Sequence, residues 1–325
     1  MVLPLNKILK QLDKGTANNM AQLKSTTIDD NLVLPNGTTG QRPSAPQPGY
    51  TRFNTSINQI EFFNGSVWSG PPVLTTSGTV STKVLNGYRI QAFTGSGTVS
   101  VTVPGTIDIL IVAGGGNASG STNGGGAGAG GLIWREQFPI TAGSYTVTVG
   151  GSSSNSSFAG LTALAGGNAS GFNVPGNAGG SGGGGGAASL NPGGVATQPT
   201  SAAGGFGNNG GVGSPGATTV DNARVGGGGG GAGEPGVDGK QTTLAGRGGH
   251  GLYFGHIFGR DLGDQGWFAG GGAGGDRSST NYETIGGLGG GGSTRSGGQP
   301  NTGGGAGAVA ANGGSGIVII RYLES

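Results

Sequence analysis

Cysteine is absent from the 325 residues, which removes disulfides and thiolate metal sites from consideration. Charge is nearly as scarce, at 9% of residues against roughly 25% in ordinary globular domains. The pI near 9.0 rests on 16 basic against 14 acidic residues, a net charge of +2, so it is no nucleic-acid footprint. Long apolar runs are missing too. The longest spans only residues 109–113, far short of the roughly 20 residues that cross a bilayer. Residues 1–12 mix lysines with short apolar runs and lack the apolar core of a signal peptide. Hydrophobic residues make up 32% of the chain, so a large side-chain core is excluded. Yet disordered chains of low hydrophobicity usually carry strong net charge, and this one does not.

What fills the gap is glycine, 82 of 325 residues. Ordering a glycine costs more backbone entropy than ordering any other residue. An ordered chain of this composition must offset that cost with backbone hydrogen bonds between neighbouring segments. Glycine clusters at 114–116, 124–131, 179–186, 204–211, 226–233, 246–251, 270–275, 286–292, 303–307 and 313–316. Collagen would need glycine at every third position with abundant proline. Uninterrupted runs such as 182–186, and only 15 prolines, exclude it. The alternative is the extended left-handed helix with three residues per turn, which has no internal hydrogen bonds. Side by side, such helices donate N–H to neighbouring C=O groups, provided that no Cβ blocks the approach. The predicted product is a bundle without a hydrophobic core, displaying loops at its ends.

The rest of the chain divides into zones. Residues 1–35 read as an N-terminal attachment segment, with a short helix over 7–14 ended by Gly15. Residues 36–71 read as a small β-module, with strands over 50–55, 59–63 and 67–68 and the turn dipeptides Asn36-Gly37 and Asn64-Gly65. Residues 72–113, 132–150 and 316–325 carry further β-formers, among them strands over 79–84, 88–93, 98–103 and 108–113. They predict a β-sandwich-like domain, and residues 316–322 would aggregate if exposed. That segment is therefore expected as a central strand, with 114–315 a glycine-rich insertion closed at its base. The predicted fold class is all-β with an irregular glycine-rich region of packed polyglycine helices.

Few motifs suggest chemistry. Residues 108–116 resemble a strand entering a dinucleotide loop, but the final glycine position holds Ser119 and no helix pattern follows. Gly239-Lys240-Gln241 lacks both the upstream glycine and the Ser/Thr of a phosphate loop. The RGG at Gly246-Arg247-Gly248-Gly249 is a single copy. His250, His256, Asp261 and Asp264 offer metal-ligand chemistry without the spacing of a known cage. No nucleophile elbow or locatable carboxylate pair points to an enzyme. The reading is non-enzymatic, with no cofactor and no metal.

Residues 252–268 concentrate aromatics in a region otherwise poor in them. Two roles fit, a plug that pins a long loop or an exposed recognition tip. On the second, the candidate contact residues are Tyr253, Phe254, His256, Phe258 and Trp267. Tyr282 and Arg295 would join them from neighbouring loops.

Gly37-Thr38-Thr39-Gly40-Gln41-Arg42-Pro43, Gly49-Tyr50-Thr51-Arg52-Phe53-Asn54-Thr55 and Asn64-Gly65-Ser66-Val67-Trp68 resemble a small module of phage virion and tail-fibre proteins. Residues 109–116, 143–150 and 313–322 look like the glycine-rich domain of large marine-phage structural proteins. The polyglycine arrangement is similar to that of phage tail-tip adhesins, whose loops contact the host receptor. The resemblance implies a virion location, in a tail fibre or other surface appendage, and host attachment through a surface glycan or outer-membrane protein. The resemblance does not extend to residues 1–35; contact with other virion proteins is expected through that segment, where Leu5, Ile8, Leu9 and Leu12 are the apolar candidates. From the charge balance and the short apolar runs, neither nucleic-acid binding nor membrane insertion is expected. A homotrimer, frequent among phage fibres, stays open beside a bundle closed within one chain. The alternative function is a purely structural decoration or fibre protein of head or tail that binds only virion proteins.

Overall fold

The computed structural model describes residues 34–66, 68–215, 224–240, 245–276, 284–310 and 312–324. The expected helix over 7–14, the attachment candidates Leu5, Ile8, Leu9 and Leu12, Val67 and Tyr282 lie outside the described residues.

The first unit is a four-stranded sheet of β1 (Asn36–Gly37), β2 (Thr51–Asn54), β3 (Gln59–Phe63) and β4 (Trp68–Ser69). Strand alternation puts Arg52, Asn54, Gln59 and Glu61 on one face, and all four are buried. On that face Glu61 accepts from Arg42 at 2.6 Å and from Asn54 at 3.0 Å. Ile60 and Phe62 point the other way and are exposed.

The main sheet contains β5 (Val73–Leu85), β6 (Tyr88–Val103), β7 (Gly105–Val112), β8 (Leu132–Ile140), β9 (Gly143–Val147) and β14 (Ile317–Leu323), while β10 (Ser156–Phe158) and β11 (Leu161–Ala163) form a separate antiparallel pair. Its order is β5-β6-β14-β7-β8, with β9 also on β6. Three segments expected as separate strands, 79–84, 88–93 and 98–103, lie instead in one long hairpin that turns at Asn86-Gly87. Glycine permits the bend. A Cβ on Gly97 would stand 2.1 Å from the Ser77 carbonyl oxygen. Below the bend, β6 pairs with β14 from Tyr88 to Phe93; above it, Gly97 to Val101 pair with β9. Val99, Val101 and Val147 share one buried cluster with Ile109, Ile111, Val318 and Ile320. The upper half of the hairpin therefore folds over one face of β14 and β7, giving the sandwich-like core.

β14 is the central strand, hydrogen-bonded to β6 and β7. Val318 and Ile320 enter the first cluster, while Ile317 and Ile319 enter a second with Ile90, Leu110, Val112 and Leu132. Burial on both faces is why its sequence is apolar without alternation. Each such side chain contributes about 1.5–3 kcal/mol.

From Ala113 the chain enters the glycine bundle. Residues 124–131 lie at its centre, and their bonding has a period of three. Gly126 and Ala129 donate to Gly227 and Gly230, at 2.9 Å each. Ala127 and Gly130 donate to Ala306 and Gly303, and Gly128 and Gly131 to Gly167 and Leu164. The carbonyls repeat the pattern, receiving Gly184 and Ser181, Gly272 and Gly275, Gly116 and Ala113. One run thus bonds to six neighbours, the arrangement that three residues per turn allows. Residues 181–187 and 226–232 are surrounded in the same way. Each bond contributes about 0.5–1.5 kcal/mol net, and together they replace a side-chain core. A Cβ on Gly126 would lie 2.1 Å from the Gly272 oxygen. The fold class expected from the sequence, all-β with packed polyglycine helices, is the one observed. Its membership is broader than the glycine clusters, since 164–170, 174–179, 191–197 and 235–239 join with Asn, Ala, Ser and Val among their glycines.

Candidate functional site

The runs alternate in direction, so the bundle has two ends. The sheet end is fixed by Val112, where β7 stops, by Leu132, where β8 begins, and by Ile317, where β14 begins. Ala232, Ala269 and Gly303 sit at the same level, through Ala232 donating to Ala269 and Gly130 to Gly303. The far end carries the connections at 117–123, 170–174 and 187–191. Pro215, Arg224, Lys240, Ala245, Asp276 and Thr284 also lie at this end.

Far-end connections are clamped by side chains bonding to the lattice backbone. Ser170 Oγ donates to the Gly184 oxygen at 2.7 Å, and Asn191 Nδ2 to the Gly186 oxygen at 2.8 Å. Val225 N–H donates to Ser214 Oγ at 2.9 Å, and Thr294 Oγ1 donates to the Gly274 oxygen at 3.1 Å. Beyond these clamps stand exposed apolar groups, Phe172 at 43% and Leu190 at 60%. The Arg224 guanidinium lies 5.4 Å from the Phe172 ring centroid. Sequence reasoning missed Phe172, Leu190 and Arg224. The only available signal was a large apolar residue directly after a glycine-rich run, a position from which a rigid rod projects it outward.

The expected aromatic segment lies at the opposite end. It contains β12 (Leu252–Tyr253), the short helix α1 (Gly255–Phe258) and β13 (Trp267–Phe268). Phe254 and Phe258 are buried, not exposed at a tip, with ring centroids 5.3 and 5.5 Å from that of Trp134 on β8. With Phe268 they cover the face of the sheet that holds Ile90, Leu110 and Ile319. Their side chains are the plug that closes the second core cluster, with Leu252, Ile257 and Leu262 packed around them. Arg295 is not beside them. It is exposed next to Thr294, which bonds to Gly274 and Thr284 at the far end.

Three of the aromatic candidates remain at the surface. His256 is exposed, Tyr253 and Trp267 are half-buried, and the rings form a row. Centroids are 5.8 Å apart for His256–Tyr253, 5.3 Å for Tyr253–Trp267 and 6.5 Å for Trp267–His250. His250 and His256 thus stand at opposite ends of the row. Asp264 Oδ2 is used by the N–H groups of Gly289 and Gly290, and Asp261 by Lys83. Asp261 and Asp264 thus have separate partners, and among the described residues no three His, Asp or Glu side chains come together.

A family model described as "Glycine-rich domain" matches residues 93–323, from β6 through the whole bundle to the last residue of β14. No curated protein and no solved structure matches the chain.

Proposed function

Taking as premise that the chain belongs to the glycine-rich domain family, we propose that it is a phage virion protein, a tail fibre or adhesin that takes part in host attachment. The observation that carries the reading is the division of labour between the two ends of the bundle. The sheet end is closed by apolar packing; the far end gathers connections onto one face and ties those at Ser170 and Asn191 to a hydrogen-bonded lattice. Loops on a rigid scaffold vary in sequence at little cost to the scaffold, which suits recognition of variable surfaces. Phe172, Leu190 and Arg224 supply apolar area and a cation there. A host glycan or outer-membrane protein is the partner class, and other virion proteins hold the N-terminal segment.

Purified full-length protein should adsorb to host cells and slow adsorption of the parent phage. Replacing Phe172 and Leu190 together with serine should weaken both effects while leaving thermal unfolding nearly unchanged. Adsorption unaffected by the double substitution removes the far face from the reading. No adsorption at all leaves the chain a structural fibre or decoration that binds only virion proteins.

A further inference from the structure

In an Asn-Gly dipeptide the glycine nitrogen can attack the asparagine side chain, because no Cβ hinders the approach. The chain has six such dipeptides, at 36–37, 64–65, 86–87, 123–124, 209–210 and 312–313. The attacking nitrogen must lose its proton, so an N–H held by an acceptor is protected until its segment opens. Three are held in this way. Gly124 N–H donates to the Ser121 oxygen at 3.0 Å, Gly210 N–H to the Gly194 oxygen at 3.0 Å, and Gly313 N–H to Asn117 Oδ1 at 3.1 Å. The other three dipeptides belong to the sheets. Asn36-Gly37 is strand β1, fixed in register against Phe53 and Asn54, and Asn86-Gly87 is the turn of the long hairpin.

Asn64-Gly65 differs from all of them. Both residues are exposed, and among the described residues no acceptor holds the Gly65 N–H. Only here is the asparagine side-chain oxygen bonded to the N–H two residues on, with Ser66 N–H donating to Asn64 Oδ1 at 2.9 Å. That bond closes a turn that folds the side chain back over the following peptide unit. It also aims a donor at the oxygen on which negative charge gathers when Cγ is attacked.

We propose that Asn64 is a site of spontaneous deamidation, set by the Ser66 N–H. Gly65 N–H gives its proton to water or hydroxide, and the nitrogen bonds to Asn64 Cγ. The Cγ–Nδ2 bond breaks, ammonia leaves, and a five-membered succinimide remains. Water then opens that ring at the side-chain carbonyl to give aspartate, or at the main-chain carbonyl to give isoaspartate. The net change is one water taken up and one ammonia released. Isoaspartate adds a methylene to the main chain between Phe63 and Trp68, which are paired across β3 and β4 with ring centroids 5.7 Å apart. Trp68 in turn lies under Arg42, the partner of Glu61. The modification therefore loosens the small N-terminal sheet and leaves the glycine bundle untouched.

The test is peptide mapping by mass spectrometry of full-length protein aged in mildly alkaline buffer, folded and, in parallel, in denaturant. In the folded protein Asn64 should convert first, at least about tenfold faster than Asn123, Asn209 or Asn312, with isoaspartate among the products. In denaturant all six sites should convert at similar rates, since the dipeptide is the same. Ser66→Pro removes the N–H and should slow conversion at Asn64 severalfold. Should that variant not fold, the comparison of folded with denatured wild type carries the same information, because the turn predicts no loss of rate at Asn64 on folding. A rate at Asn64 that drops on folding overturns the proposal. So does conversion led by any of the other five sites, or an unchanged rate in folded Ser66→Pro.

Discussion

Arg321 of β14 and Asp108 of β7 face each other across directly paired strand positions, with Nη2 2.6 Å and Nε 2.8 Å from Asp108 Oδ2. They are 213 positions apart in sequence, with the whole glycine bundle between them. Asp108 Oδ1 also accepts the Gln137 N–H at 2.8 Å, and the Arg321 guanidinium covers the Tyr88 ring at 4.4 Å. The pair therefore joins the strand that leads into the bundle to the strand that leaves it.

Removing either partner should cost about 1–3 kcal/mol, because the other is left largely buried without its counter-charge. Asp108→Ala and Arg321→Ala should each lower the unfolding temperature. The double variant should cost clearly less than the sum of the two, since one interaction is being removed twice. Additive losses in calorimetry would show that the two side chains act separately.

The lattice makes a sharper prediction. Gly126→Ala would place a Cβ 2.1 Å from the Gly272 oxygen, where the nearest atoms are all backbone of Gly272 and Ala273 and no flexible side chain can yield. Loss of soluble protein, or a drop of several kcal/mol, is expected. Gly151→Ala meets nothing within 4 Å and should stay within about 0.5 kcal/mol of the wild type. Equal behaviour of the two variants in thermal unfolding would contradict the packing of 124–131 against six neighbours.

Acid should act on the small N-terminal sheet first. Burial by itself raises the Glu61 carboxyl, but hydrogen bonds from Arg42 and Asn54 and the charges of Arg42 and Arg52 outweigh it, so the group titrates below its ordinary 4.5. A depressed folded value means the stabilisation is present above about pH 4.5 and is lost as pH falls through the lower value. Glu61→Gln should be less stable than the wild type at pH 7, and the gap should close toward pH 3. Chemical denaturation followed by emission of Trp68, which lies under Arg42, would read it.

Alkali should act on the sheet core. Burial pushes the Tyr322 hydroxyl from 10.0 up to about 12. A raised value means its contribution is complete below pH 10 and is lost as pH rises toward 12. Tyr322→Phe should flatten the fall in stability across that interval. An identical alkaline profile in the variant would place the loss elsewhere.

Phe258→Ala should cost about 3–5 kcal/mol, since its fully buried ring fills space against Trp134. His256→Ala, two residues away and exposed, should be nearly neutral. The contrast, read by thermal unfolding, separates the plug from the surface row.

The amino-acid sequence by itself determined the chemistry of the fold. Absence of cysteine, shortage of apolar side chains and runs of glycine leave backbone-to-backbone hydrogen bonding as the main source of order. The apolar run of residues 317–320 likewise requires a strand buried on both faces. Which glycines become neighbours was beyond it. Gly126 bonds to Gly227 and Ala127 to Ala306 although nothing local distinguishes one glycine from another, and partner choice depends on the path of the whole chain. For the same reason only the tertiary structure decided the fate of the aromatics. Tyr253 and Phe254 are adjacent in sequence, but the sheet face supplied by Ile90, Leu110 and Ile319 draws one inward and leaves the other at the surface. Likewise Arg295 and Trp267 fall at opposite ends of the bundle because the direction of each run is set by where the previous one ended.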